Sequence, residues 1–410
     1  MTEYDAIVIG GGPGGLFAAI QISYLGKKVL LLEKNNTAGR KLLLSGAGQC
    51  NLTQAGKIED FSKNYGDNYK YIKTSLENFT NADTIDYFEK RGLKLEIQEN
   101  KKVFPKSREA NHVLNLLLNE CKKNNVHINY QEEAREVVVE DKKYLVKTNR
   151  DSYIAKHLII ATGGLSYPKT GSTGDGYKFA YNLGHKVIKP LPGLTYVEIE
   201  KFPFRELAGI SLKDLPITVW RDNKKIKDIR GDLIFTHKGL SGPAILNNSR
   251  YMQARDKIYL NFIGKYTSKE FNKKLVKEID SRGGDFIITI LRQYNLPKRL
   301  IDFILDYYNI NGETKCAQIN KEVRGLIVSG LTKFPLTISQ MGGFNVAMVT
   351  TGGISMKEIN PTTMESRINK NLYFVGEVID VDGDTGGYNI QAALSTAKLC
   401  ADSIKTKGEK

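Results

Sequence analysis

The sequence predicts an α/β protein whose mostly parallel sheet is split by one long insertion, first β in character and then helical. Three observations carry this. The apolar run DAIVI, from Asp5, breaks into Gly10-x-Gly12-x-x-Gly15, and Glu33 closes the next apolar strand, VLLLEK. Two later apolar strands, His157–Gly164 (HLIIATGG) and Asn371–Glu377 (NLYFVGE), also end at glycine. Between 191 and 345 the hydrophobic pattern alternates like strands and then repeats at the helical period.

The first unit is built to hold a dinucleotide. Gly10 permits the tight turn, and Gly12 lets the backbone approach a pyrophosphate. Pro13 and Gly14 complete the turn, and Gly15 allows close packing of the helix starting there. That helix turns its N-terminal N–H groups toward phosphates. Glu33 stands where a carboxylate accepts hydrogen bonds from a ribose 2′-OH, followed by Lys34. The two later returns select FAD over NAD. Thr162-Gly163-Gly164 recrosses the dinucleotide, and Gly376-Glu377 offers a carboxylate to ribityl hydroxyls. Gly386-Gly387-Tyr388-Asn389 then opens a helix with an apolar stripe at Ile390, Leu394, Ala397, Ala401 and Ile404. Its positive end suits the N1/C2=O edge of an isoalloxazine. The expected fold is therefore a Rossmann-like FAD-binding domain of the glutathione-reductase type, split by an insertion.

Other elements follow in order. Leu114, Leu117, Leu118 and Cys121 give 107–122 a helical face, with Ser107 as N-cap. EVVVE (136–140) and YLVKT (144–148) read as a hairpin. Gly171-Ser-Thr-Gly174-Asp-Gly176 follows a proline-containing loop, so it begins a helix at 175–183 and is no second nicotinamide fingerprint. Pro190, Pro192 and Gly193 then punctuate the chain. TYVEI, PITVW and KIYLNFIG suggest a barrel, EFNKKLVKEI and RLIDFILDYY suggest helices, and strands resume near Leu336. The domains expected are 1–190 with 346–410 for FAD, 191–266 with 323–345 for a β-barrel, and 267–322 for a helical insertion.

Composition narrows the class. The chain has 410 residues, 41% of them hydrophobic, with no low-complexity tract and no apolar run near membrane-span length. No basic-then-apolar leader precedes the first strand, so a cytoplasmic location without membrane attachment is expected. Cys50, Cys121, Cys316 and Cys400 lack zinc spacing and read as reduced thiols; no metal site is expected. Net charge is +15, and residues 191–345 hold 25 basic against 16 acidic side chains. Solvated lysines or an anionic partner both account for this. No sequence feature sets an oligomeric state.

Six segments match, in order, one known family: 39–51 (GRKLLLSGAGQCN), 103–107 (VFPKS), 161–177, 235–246 (FTHKGLSGPAIL), 349–367 and 372–393. Over essentially its whole length the chain resembles the BaiN-like flavoproteins. That family includes a bile-acid dienone reductase, an aminoacetone oxidase and a ribosomal-RNA dihydrouridine synthase. The resemblance implies that the 39–51 loop approaches the flavin, adding Gly39, Arg40, Lys41, Ser45, Gly46, Gly48, Gln49, Cys50 and Asn51 to the cofactor-binding set, with Ala134 beside the nucleotide. Where the family usually has Arg before the Cys-Asn pair, this chain has Gln49.

Flavin supplies the redox chemistry and protein supplies orientation and protons. Cys50 is read either as a general acid or adduct-former or as a small packing residue. Tyr388 either donates a proton or stacks, and His237 either faces substrate or holds a loop. Lys101, Lys102, Lys106 and Arg108 either attract an anion or are simply solvated. The resemblance implies an FAD-dependent oxidoreductase acting on CH–CH groups, with NAD(P)H as electron donor. Its substrate would be a uridine of large-subunit ribosomal RNA, an unsaturated steroid acid or an amino ketone. The positive surplus favours RNA. A flavin-containing binding protein without turnover is the alternative class.

Overall fold

The computed structural model describes residues 2–408 and divides into two units. One runs from the N-terminus to Gly193 and resumes at Gly343; the other is Leu194–Gly342.

The first unit is organised on a seven-stranded sheet. Strand β1 (Thr2–Ile9) is central and pairs in parallel with β2 (Val29–Glu33) on one side and Ser152–Ile160 on the other. His127–Tyr130 extends the sheet beyond β2, and Leu372–Phe374 pairs in parallel with Ser152–Ile160. The 134–140 and 143–148 hairpin is antiparallel and edges the sheet. β2 is buried along its whole length, which is why VLLLE reads as a continuous apolar run rather than an alternating one. Helix α1 (Pro13–Ser23) follows the first turn and is buried almost throughout. It packs against the C-terminal helix Tyr388–Gly408, whose small residues permit close approach: an ideal Cβ on Gly14 lies 3.5 Å from Ala393 Cβ.

The second unit is a closed antiparallel barrel of six strands, drawn from 197–199, 211–221, 224–235, 239–241, 257–260 and 334–341. Phe204, Phe235 and Phe334 fill its core, with Phe204 and Phe235 stacked at 4.6 Å. Helices Ser268–Ser281, Ile287–Leu291, Lys298–Tyr307 and Lys321–Thr332 bury their apolar faces in the same core.

Three expectations need correction. The helical stretch does not end at 322. Asn320 caps a further helix by accepting the Val323 N–H at 2.9 Å, so 323–332 is helix and strand resumes only at Phe334. The boundaries at 190/191 and 345/346 move to 193/194 and 342/343. The reason is that Val187–Gly193 pairs antiparallel with Val349–Ile354 inside the first unit, despite its prolines. Ser107 is no helix cap: the helix spans Ala110–Lys123, and the Ser107 hydroxyl meets His112 Nδ1 at 2.6 Å.

Candidate functional site

The turn after β1 has the shape its glycines require. Gly10 adopts φ +107°, and a Cβ there would sit 2.6 Å from the Ala161 carbonyl oxygen. A Cβ on Gly15 would sit 1.9 Å from the Gly10 carbonyl oxygen, so neither position tolerates a side chain. Gly12 differs: a Cβ there meets no protein atom within 4 Å. It is the N-cap of α1, makes no side-chain cap, and is followed by Pro13 in the first helical turn. The space beside Gly12 is therefore open at the positive end of the helix.

The buried carboxylate of Glu33 is aimed at this turn. Its Oε2 accepts the Gly11 N–H at 2.9 Å, and its Oε1 accepts the Asn35 N–H at 2.8 Å and its amide at 2.7 Å. Arg40 donates to Asn35 Oδ1 at 2.9 Å, and Lys34 pairs with Asp175 at 2.5 Å. Gly39 donates to the Gly11 carbonyl at 2.8 Å. Ala134 begins its strand just after Glu132, whose N–H donates to the Glu33 carbonyl at 3.0 Å.

Four distant segments meet in a second polar cluster. The Lys41 ammonium lies 2.7 Å from Glu377 Oε2 and 2.7 Å from the Ser166 hydroxyl. Glu377 Oε1 also accepts from Ser166 Oγ at 2.8 Å and from the Thr350 N–H at 2.9 Å. Gly164 fits beneath it, because a Cβ there would lie 2.3 Å from Thr350 Oγ1. Gly163 and Gly376 both take φ +72°, and the Gly376 N–H donates to Thr396 Oγ1 at 3.1 Å. The Thr162 hydroxyl donates a long 3.5 Å hydrogen bond to the Gly163 carbonyl. Ser166 and Thr350 were not among the residues singled out from sequence. Both lie in quoted motifs, but hydroxyls in a loop carry no signal until the fold brings them to a carboxylate.

The 42–54 loop forms a third wall. Gly46, Ala47, Gly48 and Cys50 all have positive φ, which folds the loop tightly. Cys50 is fully buried, its N–H donates to the Ser45 carbonyl at 2.9 Å, and burial pushes its thiol up to about 12, partly offset by Ser45. Asn51 Oδ1 and Gln54 Oε1 are buried acceptors with no hydrogen-bond partner among the described residues. Gln54 Oε1 lies 3.3 Å from an ideal Cβ on Gly386. Gly387, at φ +95°, sits so close that a Cβ would meet Thr53 Cα at 2.6 Å. Tyr388 is buried edge-on against Phe61 (4.9 Å) and Tyr65 (5.8 Å), and burial lifts its phenol to about 12. Asn389 ties down its own loop, bonding both the N–H and the carbonyl of Gly383 at 2.8 Å, and Ile390 packs half-buried on the core.

Gln49 is not isolated from positive charge. Arg108 approaches its Oε1 at 3.5 Å, stacks over Phe104 at 4.8 Å and pairs with Glu96 at 2.7 Å. Lys101, Lys102 and Lys106 are exposed or partly exposed. His237 belongs to the second unit, exposed in the turn between strands 224–235 and 239–241. Cys50 and Tyr388 thus share the first unit, and His237 is carried on the other. Among the described residues no cluster of three or more His, Cys, Asp or Glu could hold a metal ion, and no helix is long and apolar enough to cross a membrane.

A parallel sheet, a glycine turn feeding α1 and a carboxylate at the end of β2 define a Rossmann-type α/β protein, here with an inserted barrel. The HI0933-like protein Rossmann domain matches residues 4–403, and the chain belongs to that family. It is 31% identical to the ribosomal RNA dihydrouridine synthase of Escherichia coli, over 98% of each chain. The protein of that name from Haemophilus influenzae is 34% identical, over 98% of this chain and 99% of its own. The 3-dehydro-bile acid delta(4,6)-reductase of Clostridium scindens is 28% identical, over 96% and 97%. Among solved structures, 3-ketosteroid delta1-dehydrogenase from Sterolibacterium denitrificans shares the fold at 11% identity, with a TM-score of 0.50 over 99% of this chain and 100% of its own.

Proposed function

We propose that this chain is an FAD-dependent oxidoreductase that uses NAD(P)H to reduce an activated C=C bond, converting a uridine of large-subunit ribosomal RNA to dihydrouridine. One observation carries the substrate: two relatives at 31% and 34% identity along the whole chain are named for that reaction, against 28% for the bile-acid enzyme. The net charge of +15 supports a polyanionic partner.

The residues present fit FAD. The clearance at Gly12 and the N-terminus of α1 suit a diphosphate, and Glu33 suits a ribose. The unpartnered Asn51 Oδ1 suits a polar ring edge, and the Lys41–Glu377–Ser166 cluster suits ribityl hydroxyls. Bound there, FAD would supply hydride chemistry. The chain's own part is to orient the base, exclude water and manage one proton. Reducing the uracil C5=C6 bond adds a hydride at C6 and a proton at C5. Burial raises both the Cys50 thiol and the Tyr388 phenol, so neither is suited to removing a proton, and as donors both are weak acids that would need the reduced base to be strongly basic at C5. A uridine within folded RNA must be unstacked to reach such a site.

The test is the dihydrouridine content of large-subunit ribosomal RNA in strains with and without the gene. Loss in the deletion, restored by the wild-type gene, is expected. An unchanged content rejects the RNA substrate and moves the reading to a small unsaturated substrate of the kind named for the Clostridium relative.

A further inference from the structure

The outer face of helix Ala110–Lys123 borders a groove of about 730 Å³, closed on its other side by the 91–94 turn and by Lys106–Ser107. Five cations line it: Arg91, Lys94, Lys106, Lys122 and Lys123. Its one acid, Glu120, is already neutralised. Arg91 lies 3.1 Å from it, Lys123 lies 2.9 Å from it, and the Tyr24 hydroxyl donates to it at 2.9 Å. Lys94, Lys106 and Lys122 are exposed and have no carboxylate partner among the described residues, so their charge is available to a ligand. Between them the helix presents Asn115 and Asn119, neutral amides that can both donate and accept.

We infer that this groove binds the sugar–phosphate backbone of single-stranded RNA. The inference rests on the RNA reading above and assigns that substrate a second, non-catalytic contact. From His112 to Lys123 the helix rises about 17 Å, which at about 3.4 Å per stacked nucleotide spans about five phosphates. The unpaired lysines, Lys94, Lys106 and Lys122, come from three separate segments, and such separate charges suit a chain of phosphates better than a single compact anion. The groove is also joined in sequence to the candidate site. Lys106 and Ser107 border it, and the next residue, Arg108, reaches Gln49 in the loop that carries Cys50. Backbone held in the groove is thereby led toward the loop where the base would react.

The test measures anisotropy of a fluorescein-labelled, 30-nucleotide single-stranded transcript of large-subunit ribosomal RNA against the flavin-loaded, full-length protein from 50 to 200 mM salt. One variant combines Lys94→Gln, Lys106→Gln and Lys122→Gln; a charge-matched control combines Lys142→Gln, Lys178→Gln and Lys357→Gln. At about 0.7 counterion per single-strand contact, the groove variant should lose about 2 from the salt slope and about 100-fold in affinity near 0.1 M salt. Flavin content and NADPH turnover with an artificial acceptor should stay at wild-type values, and the control should bind RNA within about threefold of wild type. Equal loss in groove variant and control, or no loss in either, overturns the inference. So does a wild-type protein that ignores the RNA but binds vesicles containing phosphatidylserine. The deletion-strain measurement is independent. If dihydrouridine persists there while the groove variant alone loses RNA, the groove stands and the assigned reaction falls.

Discussion

Gly12→Val separates cofactor binding from folding in a way no other position in the turn allows. Gly12 has φ −76° and ψ 179°, a conformation that valine adopts without strain. A Cβ there meets no protein atom within 4 Å. Losing glycine at an N-cap costs up to about 1 kcal/mol, and stiffening the unfolded chain returns about 0.4–1 kcal/mol. The apoprotein Tm should therefore move by less than about 4 °C. The branched side chain does fill the space in front of the α1 N–H groups, where a diphosphate would bind. Losing two hydrogen bonds to a charged group costs about 3–6 kcal/mol, or about 10²–10⁴ in FAD affinity. The assay is the ratio of flavin to protein absorbance after gel filtration, alongside the melting curve of the variant and of wild-type apoprotein. Gly15→Ala is the contrast: its Cβ would sit 1.9 Å from the Gly10 carbonyl oxygen, so it should lose flavin and fold together. A Gly12→Val protein that retains one FAD per chain refutes the placement of the diphosphate.

Three further outcomes follow from other parts of the molecule. All four cysteines are buried and the Cys50 thiol is held near 12, so native protein at pH 8 should show no fast reaction with a thiol reagent and four thiols after denaturation; rapid labelling of Cys50 would contradict its burial. Lys41→Met leaves Glu377 held by Ser166 and Thr350 without its cation, which should lower stability by about 2 kcal/mol in urea unfolding; an unchanged midpoint would remove the cluster from any structural role. His185 is buried against Phe374, with Ser366 at 2.8 Å and Glu358 at 3.4 Å, and burial outweighs Glu358 in lowering its pKa below 6.5. The unfolded chain then takes up the proton first, so stability is intact above pH 6.5 and falls as pH drops below it; His185→Gln should flatten that fall, and an unchanged slope would refute the assignment.

What was legible in the sequence is what backbone geometry dictates locally. Gly10 and Gly15 are glycines because a carbonyl oxygen occupies the place of each Cβ, so strand, turn and helix declare themselves within a short window. The apolar runs at 158–160 and 372–374 were readable as buried strands for the same reason, since nothing charged interrupts them. Partnerships across hundreds of residues left no such mark. Lys41 meets Glu377, and Thr53 bonds Gln391 at 2.6 Å, only because the C-terminal helix returns to the first turn. Pro190 and Pro192 misled because proline ordinarily ends a strand. Here the ladder shifts register between Ile188 and Leu191 and continues past them. Net charge was visible in the sequence, but its surplus pointed to 191–345. A cationic groove lies instead beside the 110–123 helix, where the fold brings Lys94, Lys106 and Lys122 together from three segments that a count along the chain does not connect.

The split first unit has a consequence for the order of assembly. All strands and helices of 194–342 emerge from a ribosome consecutively, and their core closes on itself. The first unit cannot close when its first 193 residues are out, because its sheet still lacks 372–374 and α1 still lacks the helix it packs against. At about 5–20 residues per second, the stretch 343–404 takes about 3–12 s to appear. During that interval the inserted barrel is free to fold while residues 158–160 of the Ser152–Ile160 strand wait for their second partner. Cofactor capture therefore waits for the 372–408 segment, and a nascent chain halted before Tyr388 should carry a protease-resistant insertion beside an open, flavin-free sheet.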